Sequence, residues 1–278
     1  MSILPPLRYV DVAPIEHDGQ PMLCLSDPAG YVDGQILLSP QAFFIAVQLD
    51  GQQDAAAIQA AFAEQFGGQE PSEENIMQVV QALDEHGFLD TPRFAEQQRA
   101  IALAFAESPT RPAHFAGRSY PDCPQDLRQF LDECFTREGG PGPRPAPGPT
   151  EAPVVPGIVA PHIDFQRGGH GYAHAYARLL QGGRPEVVFV FGVAHLVPPV
   201  PFVLSRKDFE TPFGTLTTDQ AIVETLADSC AWDPFEHELL HRTEHSVEFQ
   251  ATMLAHLYGT APRIVPVLCA PLGEAGDE

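Results

Sequence analysis

Two histidines follow apolar runs in the second half of the chain. His162 comes just after residues 153–160, and His195 follows residues 187–191 after a short run of small residues. Ligands of open α/β sheets bind at the carboxyl ends of the strands, so two such strands in one sheet would bring these imidazoles together. Two imidazoles and a carboxylate leave open positions on an ion such as Fe(II) or Zn(II). The pattern predicts a metal site, although a histidine hydrogen-bonded to its own loop would explain either residue alone.

An acid and a histidine open the helix predicted at residues 244–258. An acid in a first helical turn is favoured by the helix dipole, which explains Glu244 without any chemistry. In the alternative interpretation, Glu244 and His245 lie at the mouth of the pocket as hydrogen-bonding or acid–base groups. Both are therefore candidate catalytic residues. Asp164, two residues after His162, could orient that histidine or contribute an oxygen ligand.

A competing metal motif lies just before this helix. His237-Glu238-Leu239-Leu240-His241 matches the H-E-x-x-H pattern of zinc metalloproteases. That chemistry needs a helix that presents both histidines on one face and a third ligand further along. Pro234 lies just upstream, and the next clear helix begins only near Glu244. The protease is therefore the lesser alternative.

Composition limits the partners that the chain can have. Its net charge of −22, with Lys207 as its single lysine, repels nucleic acid and anionic membranes, so neither is expected as a partner. The five cysteines form no C-x-x-C pair, and the chain has neither a membrane-spanning apolar run nor a secretion signal at its start. We therefore expect a cytoplasmic protein.

A length of 278 residues favours two domains. We expect them at residues 1–107 and 108–278, because the run around residues 108–112 forms a soft boundary. Residues 139–153 are rich in proline and glycine, which disfavour both helix and sheet, and form an insertion in the second domain.

The first domain is predicted to be small and mostly helical. A strand at residues 30–38 precedes helices at 40–49, 54–66 and from Pro71 to Gly87, and then a short strand at 88–89 and a connecting helix at 93–107. This order indicates a winged-helix-type module. Between Asp54 and Asp90 there is no lysine or arginine, which argues against DNA and favours a peptide or protein partner.

The second domain alternates strands with helices. Strands are predicted at 153–160, 187–191, 202–205 and 263–269, and helices at 170–181, 219–227 and 244–258. Strands that are apolar throughout indicate an α/β fold with a mainly parallel or mixed sheet covered by helices. The polar segment Glu210-Thr211-Pro212 could line the rim of the pocket, and an ordinary loop would explain it equally well.

Several motifs of this domain together resemble the Memo family, known in bacteria and archaea as AmmeMemoRadiSam system protein B. They are Arg111-Pro112-Ala113-x-Phe115-Ala116-Gly117-x-x-Tyr120-Pro121, Ala160-Pro161-His162, Gly192-x-x-His195, Glu210-Thr211-Pro212-x-Gly214, Glu244-His245-Ser246-Val247-Glu248-x-Gln250 and Ile264-Val265-Pro266-Val267-Leu268.

The resemblance to the Memo family implies a fold similar to class III extradiol dioxygenases, which are non-haem iron enzymes. It implies His162 and His195 as metal ligands and Glu244-His245 as a pocket-lining pair. The expected metal is divalent, Fe(II) first and zinc or copper next, and the activity is metal-dependent oxidation or metal handling. Family members continue past the strand at 263–269 into a stretch that carries the third ligand, so we expect this domain to be truncated.

The first domain is similar to PqqD-like modules in Leu37-Leu38-Ser39-Pro40, Leu49-Asp50-Gly51 and Leu83-Asp84-Glu85-x-Gly87-Phe88-Leu89. Such modules bind peptide substrates of radical-SAM enzymes. This resemblance implies a radical-SAM protein or its peptide substrate as a partner. Two hypotheses follow: a non-haem iron oxidoreductase, and a non-catalytic adaptor that presents a peptide.

Overall fold

A computed structural model describes residues 2–149 and 155–271 of the chain. The chain divides into two compact units, Met1–Ala104 and Phe105–Glu278. The first unit contains an antiparallel sheet in the order β1 (Asp11–His17), β2 (Gln20–Ser26) and β3 (Gln35–Leu38). A two-residue turn joins β1 to β2 at Asp18-Gly19, where both residues have positive φ, as hairpin turns of this length require.

Helices α1 (Pro40–Val47), α2 (Ala55–Gln65) and α3 (Glu73–Glu85) follow the sheet. Each begins at a side chain that caps a backbone N–H, namely Ser39, Asp54 and Ser72. Their apolar faces meet in one core with the fully buried Phe88 and Leu89. A fourth helix, α4 (Pro92–Glu107), contains the point at which the two units divide.

The sequence analysis of this unit missed the β1–β2 hairpin. All seven residues of β1 are exposed, so the strand lacks the alternation of buried and exposed residues that reveals strands in a sequence. The strand predicted at residues 30–38 begins only at Gln35. The strand predicted at 88–89 is reduced to a single bridge between Leu7 and Leu89.

The second unit is mixed α/β, and its described residues form two small sheets. In the first sheet β5 (Val187–Val193) pairs in parallel with β9 (Arg263–Cys269), and β6 (Phe202–Leu204) pairs with the other edge of β9 in the antiparallel direction. The second sheet contains β4 (Thr110–Arg111), β7 (Asp208–Thr211) and β8 (Gly214–Leu216) in that order. The apolar runs that predicted β5 and β9 are strands, as expected.

Besides the end of α4, the described part of the second unit contains the helices α5 (Pro124–Thr136), α6 (Phe165–Gln181), α7 (Gln220–Asp228) and α8 (His245–Tyr258). Ten of the fourteen residues of α8 are buried, which makes it the central helix of the main core. Helix α7 packs instead on the opposite face of β9, with Val223 against Val265 and Val267. No helix of the described residues is long and apolar enough to cross a membrane.

The strand predicted at residues 153–160 is wrong for the part that the structure describes. Residues 155–160 lie outside any strand, and residues 153 and 154 fall outside the described residues. The apolar composition predicted a strand, but a strand also needs a hydrogen-bonded neighbour, and within residues 155–271 β5 pairs only with β9. Residues 139–149 of the proline- and glycine-rich run form neither helix nor strand, as predicted; the rest of the run is not among the described residues.

Candidate metal centre

Three histidines of the second unit come together at one end of β5. His162, His195 and His245 each offer a ring nitrogen, and these three atoms lie within 4.8 Å of one another. The ring centroids of His162 and His195 are 5.3 Å apart, and those of His195 and His245 are 4.5 Å apart in a stacked arrangement. The structure thus joins the two predicted ligands to a third imidazole, which the sequence had indicated only as a catalytic or pocket-lining residue.

A chain of hydrogen bonds positions His162, which lies in the loop before α6. The Gln250 side chain donates from Nε2 to the carbonyl of Pro161 over 2.9 Å. The hydroxyl of Tyr176 in turn donates to Oε1 of Gln250 over 2.9 Å. Asp164 does not face the cluster as a ligand would. It is the N-cap of α6 and accepts from the backbone N–H of Arg167.

His195 is positioned by a close approach between β5 and α8. A Cβ atom on Gly192 would lie 2.5 Å from Ser246 Oγ and 2.7 Å from Val247 Cγ2, so only glycine fits here. The Ser246 hydroxyl accepts from Val193 N over 2.9 Å and donates to Val193 O over 3.1 Å. These contacts hold the end of β5 against the beginning of α8, where Glu244 and His245 lie.

Glu244 connects the beginning of α8 to His195. Its carboxylate accepts from the backbone N–H of Ser246 over 2.9 Å and thereby caps the helix. It also accepts from the backbone N–H of His195 over 3.1 Å, and Nδ1 of His195 lies 3.0 Å from Oε2. With Nδ1 donating to the carboxylate, Nε2 of His195 is the ring nitrogen left available to bind a metal.

The pKa values of Glu244 and His245 are both shifted toward the protonation states that suit metal binding. Burial raises the pKa of Glu244, but hydrogen bonds from Ser246 and His195 outweigh burial and lower it below its usual value. Glu244 therefore remains a carboxylate. Burial is also the main reason that the pKa of His245 is lowered, which favours the neutral imidazole that a metal requires.

A buried ion pair lies below the cluster. Arg111 and Glu248 are both completely buried, and the guanidinium of Arg111 donates to the Glu248 carboxylate. Arg111 also donates to the carbonyl of Glu244 over 2.9 Å and to that of His241 over 2.8 Å. It therefore fixes the backbone that leads into α8.

The remaining acceptor capacity of Glu248 is also used. Its carboxylate accepts from the backbone N–H groups of His114 and Phe115 and from the hydroxyl of Tyr120. Burial, followed by the negative charge of Glu248, raises the pKa of Tyr120 far above its usual value. The sequence motifs contain Arg111, Tyr120 and Glu248, but the spacing of these residues gave no sign that they meet.

The H-E-x-x-H segment does not form a metal site. Residues Glu238–Arg242 are a short 3-10 helix, not the α-helix that would place both histidines on one face. His241 is buried, with Nε2 3.2 Å from the carbonyl of Val203. Glu238 accepts from Ser205 Oγ over 2.9 Å. The protease interpretation therefore loses its structural basis.

The predicted rim segment has a structural role. Glu210 and Thr211 end strand β7 in a tight hairpin, where Thr211 Oγ1 donates to the carbonyl of Gly214 over 2.7 Å. Glu210 accepts from Thr110 Oγ1 over 2.6 Å. These contacts hold the second sheet together, so the loop interpretation of this segment gains support.

Comparison with known proteins identifies the family to which the second unit is similar. The profile of the family described as "Memo-like protein" matches residues 111–275. A MEMO1 family protein of Aquifex aeolicus is 28% identical over 269 residues, which is 95% of this chain and 66% of that relative. Its match therefore extends through most of the first unit.

Two further relatives match a little more than half of this chain. A MEMO1 family protein of Methanopyrus kandleri is 35% identical over 159 residues, 56% of this chain and 54% of that protein. One of Ignicoccus hospitalis is 34% identical over 160 residues, 57% of this chain and 55% of that protein. The chain thus spans between about half and two thirds of the length of these relatives. It belongs to the Memo-like protein family, as its sequence motifs predicted.

Proposed function

We propose that the chain binds one divalent metal ion through His162, His195 and His245, and that Glu244 orients His195. The observation that carries this proposal is the convergence of three imidazoles from three separate segments, with ligand atoms within 4.8 Å of one another. In a tetrahedral site with metal–nitrogen distances of about 2.0–2.1 Å, ligand nitrogens lie about 3.4 Å apart. The cluster therefore has to close by up to about 1.4 Å when a metal binds.

The donor set fits a borderline metal. Imidazole suits iron, zinc and copper, and hard ions such as magnesium prefer oxygen ligands. We propose Fe(II) first, with zinc or copper as alternatives, because three protein ligands leave positions open for a substrate. A carboxylate that accepts from the second ring nitrogen, as Glu244 does, fixes the tautomer of a ligating histidine and increases its basicity.

The activity that we propose is metal-dependent oxidation on a fold related to class III extradiol dioxygenases. When bound, the metal supplies a redox-active centre with open coordination positions. The chain orients the ligands through Glu244 and Gln250 and shields them with aromatic rings. Phe249 and Phe115 lie 5.4 and 5.7 Å from the His245 ring, between centroids. In this proposal His245 is a ligand instead of an acid–base catalyst.

Titration with Zn²⁺, a probe without redox chemistry, tests the site. We expect about one equivalent to bind the wild type, and His162→Ala, His195→Ala and His245→Ala each to weaken binding at least tenfold. His170→Ala is the matched control, since His170 is exposed and lies outside the cluster. Equal affinity in all five proteins would refute the proposal.

A second function is favoured by the first unit, which has its own core and no lysine or arginine between Asp54 and Asp90. We propose that this unit, as a PqqD-like winged-helix module, presents a peptide to a radical-SAM partner. A pull-down of a radical-SAM protein or its precursor peptide by the full chain tests this role. Unchanged capture after the exposed Tyr9 and Met77 are replaced by glutamate would contradict it.

A further inference from the structure

The loop around His162 is held on both sides by side chains of the neighbouring helices. The carbonyl of Pro161, just before the histidine, accepts from Gln250 Nε2 over 2.9 Å. The carbonyl of Ile163, just after it, accepts from the hydroxyl of Tyr172 over 3.0 Å. These two contacts together form a clamp on the backbone, because they fix both peptide groups that flank the proposed ligand.

Tyr172 is a rigid donor in this clamp. It is completely buried on α6, and its ring packs edge to face against the buried ring of Phe165, with 4.8 Å between the centroids. Burial raises the pKa of Tyr172 far above its usual value, so the hydroxyl keeps its proton and remains a donor. Functional side chains need to be held to within about 0.5 Å, and residues that packing locks in place meet this need.

Two glycines of α6 allow the loop to come this close. A Cβ atom on Gly168 would lie 2.5 Å from Ile163 Cγ2, and one on Gly171 would lie 2.8 Å from Pro161 Cγ. Glycine inside a helix is less favourable than alanine, so α6 loses some helical stability at both positions. The sequence of α6 therefore provides both the space for the loop and the hydroxyl that holds it.

His162 and His195 are held in different ways. The carboxylate of Glu244 contacts the His195 ring itself, 3.0 Å from Nδ1. The described hydrogen bonds at His162 reach only the carbonyls of the two neighbouring residues. With its backbone held, the His162 ring moves only by rotation of its own side chain. Its position therefore depends on the two contacts of the clamp.

We propose that Tyr172 is a positioning residue for the metal ligand His162. Its hydroxyl acts through the carbonyl of Ile163 and complements the contact of Gln250 with Pro161, so that His162 lies in place before a metal binds. The inference rests on the proposed function, because it concerns the same site. The clamp itself belongs to the metal-free protein and can be measured without a metal.

Titration of Tyr172→Phe with Zn²⁺ tests the proposal. Phenylalanine keeps the packing and removes only the donor, and loss of one buried hydrogen bond is expected to weaken zinc binding about three- to tenfold. Tyr258→Phe is the matched control. The Tyr258 hydroxyl is buried and has no hydrogen-bond partner among the described residues, so its removal should leave zinc affinity unchanged. Urea unfolding checks that both variants fold.

A double-mutant cycle separates positioning from a general structural role. Because Tyr172 acts through His162 in this proposal, Tyr172→Phe should weaken zinc binding no further in a His162→Ala background. In a His245→Ala background it should weaken binding by the same factor as in the wild type. A side chain that only stabilised the fold would cause the same loss in both backgrounds.

Amide relaxation measured by NMR tests the clamp in the metal-free protein. We expect the order parameters of the His162 and Ile163 amides to be about 0.85 in the wild type, the value of a rigid backbone, and to fall toward about 0.6 in Tyr172→Phe. Tyr258→Phe should leave both order parameters unchanged.

Three results would overturn the inference and leave the metal site intact. Wild-type zinc affinity in Tyr172→Phe, with weakened binding in His162→Ala, would mean that the hydroxyl does not position the ligand. An equal loss in both double-mutant backgrounds would assign Tyr172 a general structural role. Order parameters that Tyr172→Phe does not change would show that the hydrogen bond does not hold the loop. A fourth result, unaffected zinc binding in His162→Ala, would refute the metal site itself and the inference with it.

Discussion

The second unit contains two groups of histidines that a sequence offers as metal sites, and only one of them is assembled in space. His237 and His241 belong to one contiguous motif, yet the motif forms a 3-10 helix and His241 is turned into the core. His162, His195 and His245 are spread over 84 positions of the numbering, yet their ligand atoms lie within 4.8 Å. The three histidines come from the loop before α6, the segment after β5 and the beginning of α8. The packing of separate elements therefore assembles this cluster, whereas the contiguous motif lacks the α-helix that it would need.

The largest effect is expected from removing one partner of the buried Arg111–Glu248 ion pair, which fixes the backbone leading into α8. Glu248→Ala should destabilise the protein by about 3–5 kcal/mol, because it leaves the guanidinium of Arg111 buried without its carboxylate. Urea unfolding measures the change. Glu133→Ala, at an exposed residue of α5, is the control and should change stability by less than about 0.5 kcal/mol. A loss below about 1 kcal/mol for Glu248→Ala would contradict the role of this pair.

Acid should destabilise the protein through His241, which the motif offered as a ligand. Burial lowers the pKa of His241 to about 4 from its ordinary value of 6.5. The unfolded chain therefore binds more protons between these values, so stability is lost as the pH falls from about 6.5 toward 4, by up to roughly 3 kcal/mol.

His241→Gln should reduce this pH dependence by the same amount, in urea unfolding measured from pH 7 to pH 4. His170→Gln, at an exposed histidine, should retain it. An unchanged slope in His241→Gln would show that His241 is not the titrating group. Either result tests whether His241 behaves as a buried core histidine, unlike the three histidines of the cluster.

A methyl group at Gly192 should separate β5 from α8. Gly192→Ala puts a Cβ atom 2.5 Å from Ser246 Oγ, and overpacking of this kind costs about 1–3 kcal/mol. We also expect weaker Zn²⁺ binding, since His195 lies only three residues further along the chain. Gly34→Ala, where a Cβ would meet no atom within 4 Å, is the control. Wild-type stability and zinc affinity in Gly192→Ala would contradict the close packing.

The smallest effect is expected from the carboxylate that orients His195. Glu244→Gln keeps the size of the side chain and removes its charge, and changes to such orienting groups typically cost ten- to a hundredfold in metal affinity. Isothermal titration with Zn²⁺ measures the loss. Glu238→Gln, in the competing motif, should bind zinc as the wild type does. Weaker zinc binding in Glu238→Gln than in Glu244→Gln would instead assign the metal site to the H-E-x-x-H motif.

The sequence predicted those elements whose residue pattern alone defines them. The uninterrupted apolar runs of β5 and β9 predicted two strands of the main sheet, and the helical spacing of Ile76, Val80 and Leu83 predicted α3. Strand β1 could not be predicted, because none of its residues is buried. The run at 155–160 was misassigned because pairing with a neighbour is not visible in composition.

For the site too, the sequence predicted what a local residue pattern defines and not what packing between distant segments defines. Predicted strand ends indicated His162 and His195, although residues 155–160 before His162 are not a strand. The acid–histidine pair indicated the place of Glu244 and His245. That His245 faces the other two rings depends on the close contact of Gly192 with Ser246, which only packing reveals. The pairing of Arg111 with Glu248, 137 positions apart, likewise leaves no local signal in the sequence.

Metal content of the purified protein tests the central claim most directly. Elemental analysis by mass spectrometry would compare the wild type with the double variant His162→Ala/His195→Ala and with His237→Ala as the control. We predict about one metal ion per chain in the wild type and in the control, and less than a tenth of that in the double variant. Equal metal in all three proteins, or a loss confined to His237→Ala, would contradict a metal site at the end of β5.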